Sequence, residues 1–527
     1  MEQTVRYGIG EQDFRLLRER NCVYVDKTKY IDTLVTSGSK YYFLARPRRF
    51  GKSLFLSTLQ YLFENRRELF KGLYIDSTDW KWEKYPVLRL DLNKDRYAEA
   101  GMLDSILDNI FKEWETEYEV PFIAGDMSSR FDNIIKAAHR KTGKGVVILV
   151  DEYDKPLVGN LNKTENFEHY RAKLASLYTN FKSSAAHIRL VFLTGVSRFS
   201  KLSVFSDLNN LNDITFDNRY ANICGITEKE LTDNFQQGIA MLAETNESTY
   251  EKALKDLKEN YDGYRFSENG SDIYNPWSLL NCLDKSSIDS YWNNTGLPTI
   301  IIEALQKVDA NLEEALDVYT NPDELRGMDL LNPNPTALMY QTGYLTIKDY
   351  FRETREYLLG IPNKEVKNGF FNYLLPYYVN CKGVSANKVV TDIVRGFIHG
   401  NPEAAMKSIQ TYFAGITFKL KMDNENNFHN AFFLLTNLIG LNASAEVNTS
   451  DGSIDILIQT AKYIYVIELK YDHSAEDALR QIEEKQYAWP YLTDHRGLFK
   501  IGVNFSSETR TIEDWVIAKS QPYGNNH

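Results

Sequence analysis

Along residues 1–225, short apolar runs alternate with stretches whose apolar residues recur every three or four positions. Lys40–Ala45 (KYYFLA) reads as a buried strand. After a basic turn, a helix from Gly51 would carry Leu54, Phe55, Leu59, Leu62 and Phe63 on one face. Further strands are predicted at Val87–Leu92, Gly145–Val150 and Ile188–Thr194, with helical spacing between them. Strands separated by helices pair in parallel through right-handed crossovers, so a three-layer α/β domain is expected over 1–225. Residues 226–415 read differently. Helical segments such as Glu228–Thr245 and Ser248–Tyr261 are broken by turn signals at Tyr274-Asn275-Pro276 and Asn332-Pro333-Asn334-Pro335, giving a mainly helical middle region. From about 416 the pattern predicts a helix (Asn427–Leu438), strands at Ser444–Val447, Ser453–Gln459 and Tyr463–Lys470, a helix at Ala475–Ala488 and a strand at Leu498–Phe505. That α-β-β-β-α-β order over 416–527 is enough for a third domain.

The 527 residues suit roughly three or four domains rather than one. A formal charge of −11 excludes a generic polybasic coat for nucleic acid but leaves room for a local basic groove. No apolar run approaches membrane-spanning length, and the start lacks the basic-then-apolar layout of a signal peptide. Cys22, Cys224, Cys282 and Cys381 are scattered without a C-x-x-C pair, so neither a disulfide framework nor a Cys-rich zinc site is expected. These features together predict a reduced, cytoplasmic protein without a membrane segment.

The turn after the first strand is Arg46-Pro47-Arg48-Arg49-Phe50-Gly51-Lys52-Ser53. Phosphates need backbone N–H groups, a helix N-terminus and a lysine, and Gly51-Lys52-Ser53 at a strand-to-helix junction supplies all three. Lys52 would reach the β/γ-phosphates, Ser53 would ligate Mg²⁺, and Arg48 and Arg49 would add to the cradle. The loop departs from the usual pattern at its first position, where Arg46 replaces Gly. Downstream, the apolar strand Val146–Val150 ends in Asp151-Glu152. Asp151 would assist Mg²⁺, and Glu152 would polarise the attacking water as a base. The next strand ends at Thr194-Gly195, with Arg198 following. Thr194 could sense the γ-phosphate or merely cap its strand, and Arg198 could neutralise transition-state charge, within one chain or between subunits, or be solvated.

Tyr24-Val25-Asp26-Lys27-Thr28, the Arg46–Ser53 turn and Ser206-Asp207-Leu208-Asn209-Asn210-Leu211 resemble the bacterial AAA-ATPase-like family. Tyr274–Ser278 (YNPWS), Tyr291–Gly296 (YWNNTG) and Gln341–Leu345 (QTGYL) match its middle region. The resemblance covers nearly the whole chain. It implies a P-loop fold with an additional strand between the two phosphate-site strands, commonly followed by a PD-(D/E)XK nuclease-like domain.

In the C-terminal segment Asp455 lies in one strand-like run and Glu468-Leu469-Lys470 ends the next. A hairpin would bring both carboxylates to one edge, and alternation puts Glu468 and Lys470 on the same face. Two carboxylates and water make a hard oxygen site for Mg²⁺ or Mn²⁺, with the Leu469 carbonyl as a further ligand. Lys470 would orient or help deprotonate the attacking water. The element order resembles the PD-(D/E)XK, restriction-endonuclease-like fold. Gln481 matches an accessory position of such nucleases, Tyr487 shares its helix, and Glu446 is either a further acid or solvated. Gly452-Ser453-Ile454-Asp455 lacks the arginine many relatives carry before the aspartate. His429 and His473 read as structural or exposed. From Lys421 onward nine basic and fifteen acidic side chains leave a net of −6, so nucleic acid would need a narrow basic strip, the middle region or another subunit.

The expected function is ATP binding and hydrolysis coupled to a metal-dependent nuclease acting on nucleic acid, DNA more than RNA, in a possible homo-oligomer. The alternative is an ATP-driven switch or scaffold whose nuclease-like domain only recognises a partner.

Overall fold

The computed structural model describes residues 5–93, 97, 99, 101–121, 126–160, 163–198, 210–292, 299–307, 315–326, 334–378, 386–414, 433–435, 437, 442–449, 452–509 and 511–520. The chain divides into two compact units: residues 1–295 with 316–366, and residues 296–315 with 367–527. The helical stretch expected at 226–415 is thus shared between them. Among the described residues no helix is long and apolar enough to cross a membrane.

The first unit is built on a five-stranded sheet of β1 (Tyr41–Ala45), β2 (Val87–Asp91), β3 (Val146–Asp151), β4 (Ile188–Gly195) and β5 (Asn212–Asp213). The order is β2-β3-β4-β1-β5 and every pair is parallel. β4 therefore lies between β1 and β3, the two strands that lead to the phosphate-site motifs. Every residue of β1 and β3 is buried, as expected of central strands covered on both faces. β2 is an edge strand and alternates, with Leu88 and Leu90 inward and Arg89 half-buried. Helices Lys52–Phe63, Met102–Glu117, Met127–Thr142 and Thr164–Ser183 supply the crossovers. The first buries Phe55, Leu56, Leu59, Leu62 and Phe63.

Beyond residue 225, β6 (Ile226–Thr227) pairs antiparallel with β7 (Ile273–Tyr274). The segment predicted as one helix over Glu228–Thr245 forms two, Glu228–Asn234 and Gln236–Thr245, because Phe235 leaves helical geometry (φ −125°). With helices Tyr250–Tyr261 and Pro276–Lys285 they enclose Leu231, Phe235, Ile239, Leu257 and Leu279. A three-stranded antiparallel sheet, order β8-β10-β9, follows with β8 (Asp317–Thr320), β9 (Thr346–Phe351) and β10 (Glu356–Gly360). The Ser206–Asn209 part of the family-like segments and Asn293–Gly296 lie outside the described residues.

The second unit carries β11 (Asn442–Thr449), β12 (Gly452–Gln459), β13 (Tyr463–Tyr471), β14 (Gly497–Ser506) and β15 (Thr511–Ser520) in that spatial order. Only β13 and β14 are parallel. The helix Ala475–Glu484 is their crossover. Gly502 lets it close on the sheet, since a Cβ there would meet the Ala475 carbonyl and lie 2.5 Å from the Leu479 nitrogen. The expected helix at Asn427–Leu438 falls mostly outside the described residues, of which 433–435 and 437 are helical. β15 was not anticipated. The neighbouring helices Ala386–Ile398 and Pro402–Ala414 approach where Gly396 meets Ala405.

Candidate functional sites

The phosphate loop connects β1 to the helix Lys52–Phe63. Arg46 enters it buried, and its Nη1 donates to the carbonyls of Ala45 (2.9 Å) and Thr215 (2.8 Å). Nη2 donates to the Tyr220 carbonyl at 3.3 Å, and the guanidinium lies 4.4 Å from the centre of the Phe266 ring. Burial pulls its pKa below the ordinary arginine value. Arg46 thus ties the start of the loop to the segment after β5. Gly51 sits at φ +93°, where a side chain would be strained. Lys52 is 4% exposed, and its Nζ donates to the carbonyls of Arg46 (3.0 Å) and Pro47 (3.1 Å) and stands 3.9 Å from Glu152 Oε1.

The β3 end faces this loop. Asp151 is 2% exposed, and burial pushes its carboxyl up, with Glu152 adding to the rise and a hydrogen bond to Ser53 opposing it. One oxygen lies 3.9 Å from Arg89, while Oδ1 has no hydrogen-bond partner among the described residues. Glu152 holds φ +53°, a left-handed conformation that a non-glycine residue adopts at a cost of about 1–2 kcal/mol. Its side chain lines the same cleft as Lys52.

A residue overlooked in the sequence maintains this turn. Asp154 is buried, and its Oδ2 accepts hydrogen bonds from the backbone nitrogens of Val196 (3.1 Å) and Ser197 (2.7 Å). Burial, reinforced by Glu152, pushes its carboxyl up to about 6. Tyr153 adds two more stitches, from its nitrogen to the Thr194 carbonyl (3.1 Å) and from its hydroxyl to the Ser197 carbonyl (2.8 Å). Four hydrogen bonds therefore tie the carboxylate turn to the end of β4. The only sequence signal was the spacing Asp151-Glu152-Tyr153-Asp154. Gly195 admits this contact, since a Cβ there would lie 2.6 Å from both Asp154 Oδ1 and the Tyr153 ring. Gly195→Ala is expected to cost about 1–3 kcal/mol through overpacking, read as a lowered midpoint in thermal or urea unfolding. An unchanged midpoint would mean that the two turns are not in contact.

Thr194 is fully buried at the strand end beside Asp151, and its Oγ1 has no hydrogen-bond partner among the described residues. Arg198 forms an ion pair with Asp213, and its backbone nitrogen donates to Gln341 Oε1 (2.9 Å). The Tyr24–Thr28 motif frames the cleft. Asp26 accepts from the Thr28 nitrogen (2.8 Å) and the Tyr74 nitrogen (2.6 Å), while Lys27 is paired with Glu230 (2.7 Å).

Between these walls lies a cavity of about 540 Å³. Arg48, Gly51, Lys52, Ser53 and Glu152 line one part, and Val23, Val25, Phe235 and Trp277 another. Arg49, at φ +71°, stacks its guanidinium 4.0 Å from the centre of the Trp277 ring. A polar, cationic floor and an apolar wall suit a molecule with a phosphate tail and a flat ring system.

The second unit holds the other acidic centre. Asp455 and Glu468 stand one step beyond the Ile456–Ile467 pair of the β12–β13 ladder, on adjacent strands. Asp455 Oδ2 accepts from the Leu469 nitrogen at 2.8 Å. Glu468 is 2% exposed, and burial first and Asp455 second push its carboxyl up to about 7, with Lys470 opposing. Its Oε1 accepts from Gln481 Nε2 and lies 3.5 Å from Lys470 Nζ, which donates to Gln481 Oε1 at 2.6 Å. Its Oε2 is buried without a hydrogen-bond partner among the described residues. Asp455, Glu468, Lys470 and Gln481 thus form one cluster. Tyr487 instead packs in the core with Ile482 and Ala488. The side chain of Glu446 and all of His429 lie outside the description, and the His473 nitrogen donates to Asn504 (3.0 Å). Among the described residues no three His, Cys, Asp or Glu side chains gather to hold a metal, so an ion here would have two carboxylates.

Comparison with known proteins finds a family for each of the two parts of the chain that hold these residues. A family model for a predicted AAA-ATPase matches residues 7–205, and one for the PD-(D/E)XK nuclease superfamily matches 423–515. An uncharacterized protein in the vnfD 5′ region of Azotobacter chroococcum mcd 1 is 33% identical over 521 residues, 97% of this chain and 98% of that one. The chain belongs to the AAA-ATPase-like family and carries a C-terminal domain of the PD-(D/E)XK nuclease superfamily.

Proposed function

We propose that the chain binds and hydrolyses ATP with Mg²⁺ at the first centre and cleaves nucleic acid, DNA rather than RNA, at the second with Mg²⁺ or Mn²⁺. One observation carries the reading. In each centre a buried carboxylate oxygen, Asp151 Oδ1 and Glu468 Oε2, has no hydrogen-bond partner among the described residues and stands beside a second acid. An unsatisfied buried acceptor costs about 1–3 kcal/mol, more when charged, and a bound cation removes that cost.

At the first centre Lys52 would leave the Arg46 and Pro47 carbonyls to hold the β/γ-phosphates, and Ser53 and Asp151 would hold the ion. Glu152 would take the proton of the attacking water, and Thr194 would contact the γ-phosphate. At the second, Asp455 and Glu468 would hold the ion with the Leu469 carbonyl, while Gln481 keeps Lys470 aimed at the attacking water. The ion would supply charge neutralisation on the phosphate at both centres.

The direct test incubates the full chain with ATP and Mg²⁺, following phosphate release, and with end-labelled duplex and single-stranded DNA under Mg²⁺ or Mn²⁺. Release and cutting are both expected. ATP binding without release would leave a nucleotide switch. No cutting with either ion would leave a recognition domain.

A further inference from the structure

The cations around the nucleotide cleft differ in their partners, and those partners sort them. Arg46 is buried against three carbonyls, Lys27 is paired with Glu230, and Arg198 with Asp213. Lys155 donates to Asn93, and Arg49 lies on the Trp277 ring. Lys52 is docked on the loop carbonyls with Glu152 nearby. Arg48 differs from all of these. It is exposed, three residues before Gly51, and lines the same cavity as Lys52, Ser53 and Glu152. It makes no hydrogen bond or ion pair with any described residue.

Arg48 also sits next to a like charge. Arg49 feels it, since burial and then Arg48 lower the Arg49 pKa. Two adjacent guanidiniums, neither in an ion pair with a described residue, make a positive spot that an anion relieves. With Arg49 held on Trp277, the side chain able to follow that anion is Arg48.

We infer that Arg48 is a catalytic arginine supplied by the phosphate loop itself, donating to the γ-phosphoryl oxygens as charge shifts during ATP hydrolysis. The inference rests on the ATPase reading and deepens it. Water oxygen bonds to the γ-phosphorus, the bond from that phosphorus to the bridging oxygen breaks, and its electron pair stays on ADP. Glu152 receives the water proton and returns it to the products. Arg48 keeps its own protons throughout and contributes hydrogen bonds and charge. Ground-state phosphates have Lys52, Ser53 and the backbone of the loop, so an uncommitted planar guanidinium has most to offer when the transferring group is separating. No bond of its own must break first. An arginine in the same chain also removes the need for one from a neighbouring subunit, and the Asp213 pair leaves Arg198 poorly placed for that task.

The test compares the full-length wild type with Arg48→Ala and Arg48→Lys. Three readouts are steady-state phosphate release, affinity for fluorescent mant-ATP, and trapping of labelled ADP with Mg²⁺ and aluminium fluoride. Arg48→Ala should lower kcat by about 100–1,000-fold and abolish trapping, while mant-ATP affinity changes less than threefold. Arg48→Lys should recover less than a tenth of the lost rate. Turnover per chain should not depend on wild-type concentration. Retained mant-ATP binding certifies that a slow variant is folded, and Arg48→Gln replaces any variant that fails it. Turnover in Arg48→Ala within threefold of wild type, or an affinity loss equal to the rate loss, overturns the inference and leaves the ATPase reading intact. A wild type that binds mant-ATP and releases no phosphate overturns both.

Discussion

Glu152→Gln is expected to bind ATP as tightly as the wild type and to release phosphate about 100–1,000-fold more slowly. A positioned general base contributes about 10²–10⁴ in rate, and the amide keeps the shape of the carboxylate while losing its ability to take a proton. The geometry argues for a role in the reaction rather than in binding. Glu152 emerges from β3 in a left-handed conformation, and the chain tolerates that strain because the following residues are pinned by Asp154 to the nitrogens of Val196 and Ser197. The carboxylate projects into the cavity beside Lys52, 3.9 Å from its Nζ. Removing the charge should also loosen Lys52 from its docked position, which favours nucleotide binding. The apparent affinity for mant-ATP should therefore hold or improve while kcat collapses. Phosphate release within tenfold of the wild type would assign the base to another residue.

The convergence of the residues proposed for each centre is legible because each belongs to a short-range pattern with a topological consequence. In a parallel sheet all strand C-termini share one edge, so a lysine after β1 and acids after β3 converge whatever lies between. In an antiparallel pair the register alone sets Asp455 beside Glu468, and alternation places Lys470 on its side. The illegible features depend on distant segments. Nothing local in Arg46 says that it will be buried against Thr215, Tyr220 and Phe266, and a basic loop reads as uniformly phosphate-facing until those partners are present. The Arg49–Trp277 stack joins residues 228 positions apart for the same reason. Asp154 was hidden because an aspartate after a strand is usually solvated, and its two backbone donors come from the next strand's exit. β15 escaped notice since Thr511–Ser520 shows weak alternation and takes its place only by pairing with β14.

Glu468→Gln is expected to abolish cutting, by about 1,000-fold or more, and yet to make the metal-free second unit more stable at pH 8. The two effects have one origin. The carboxylate is buried next to Asp455 with one oxygen unpartnered, so its charged form is unfavourable until a cation arrives. With its carboxyl at about 7 against an ordinary 4.5, the folded chain holds a proton that the unfolded chain releases across that window. The contribution of this group to stability is therefore present at the acid side and is lost as pH rises through 7. In EDTA, wild-type melting should fall between pH 6 and pH 8 more than that of Glu468→Gln, which has no proton to lose there. Metal affinity should show the opposite slope, weakening about tenfold per unit below pH 7 as the ion competes with the proton. Calorimetric titration with Mn²⁺ at pH 6 and 8, beside melting curves of both proteins, measures both slopes. Equal melting shifts in the two would show that burial does not raise the Glu468 carboxyl, and Mn²⁺ binding that ignores both pH and the substitution would show that the cluster with Asp455 and Lys470 is not where an ion binds.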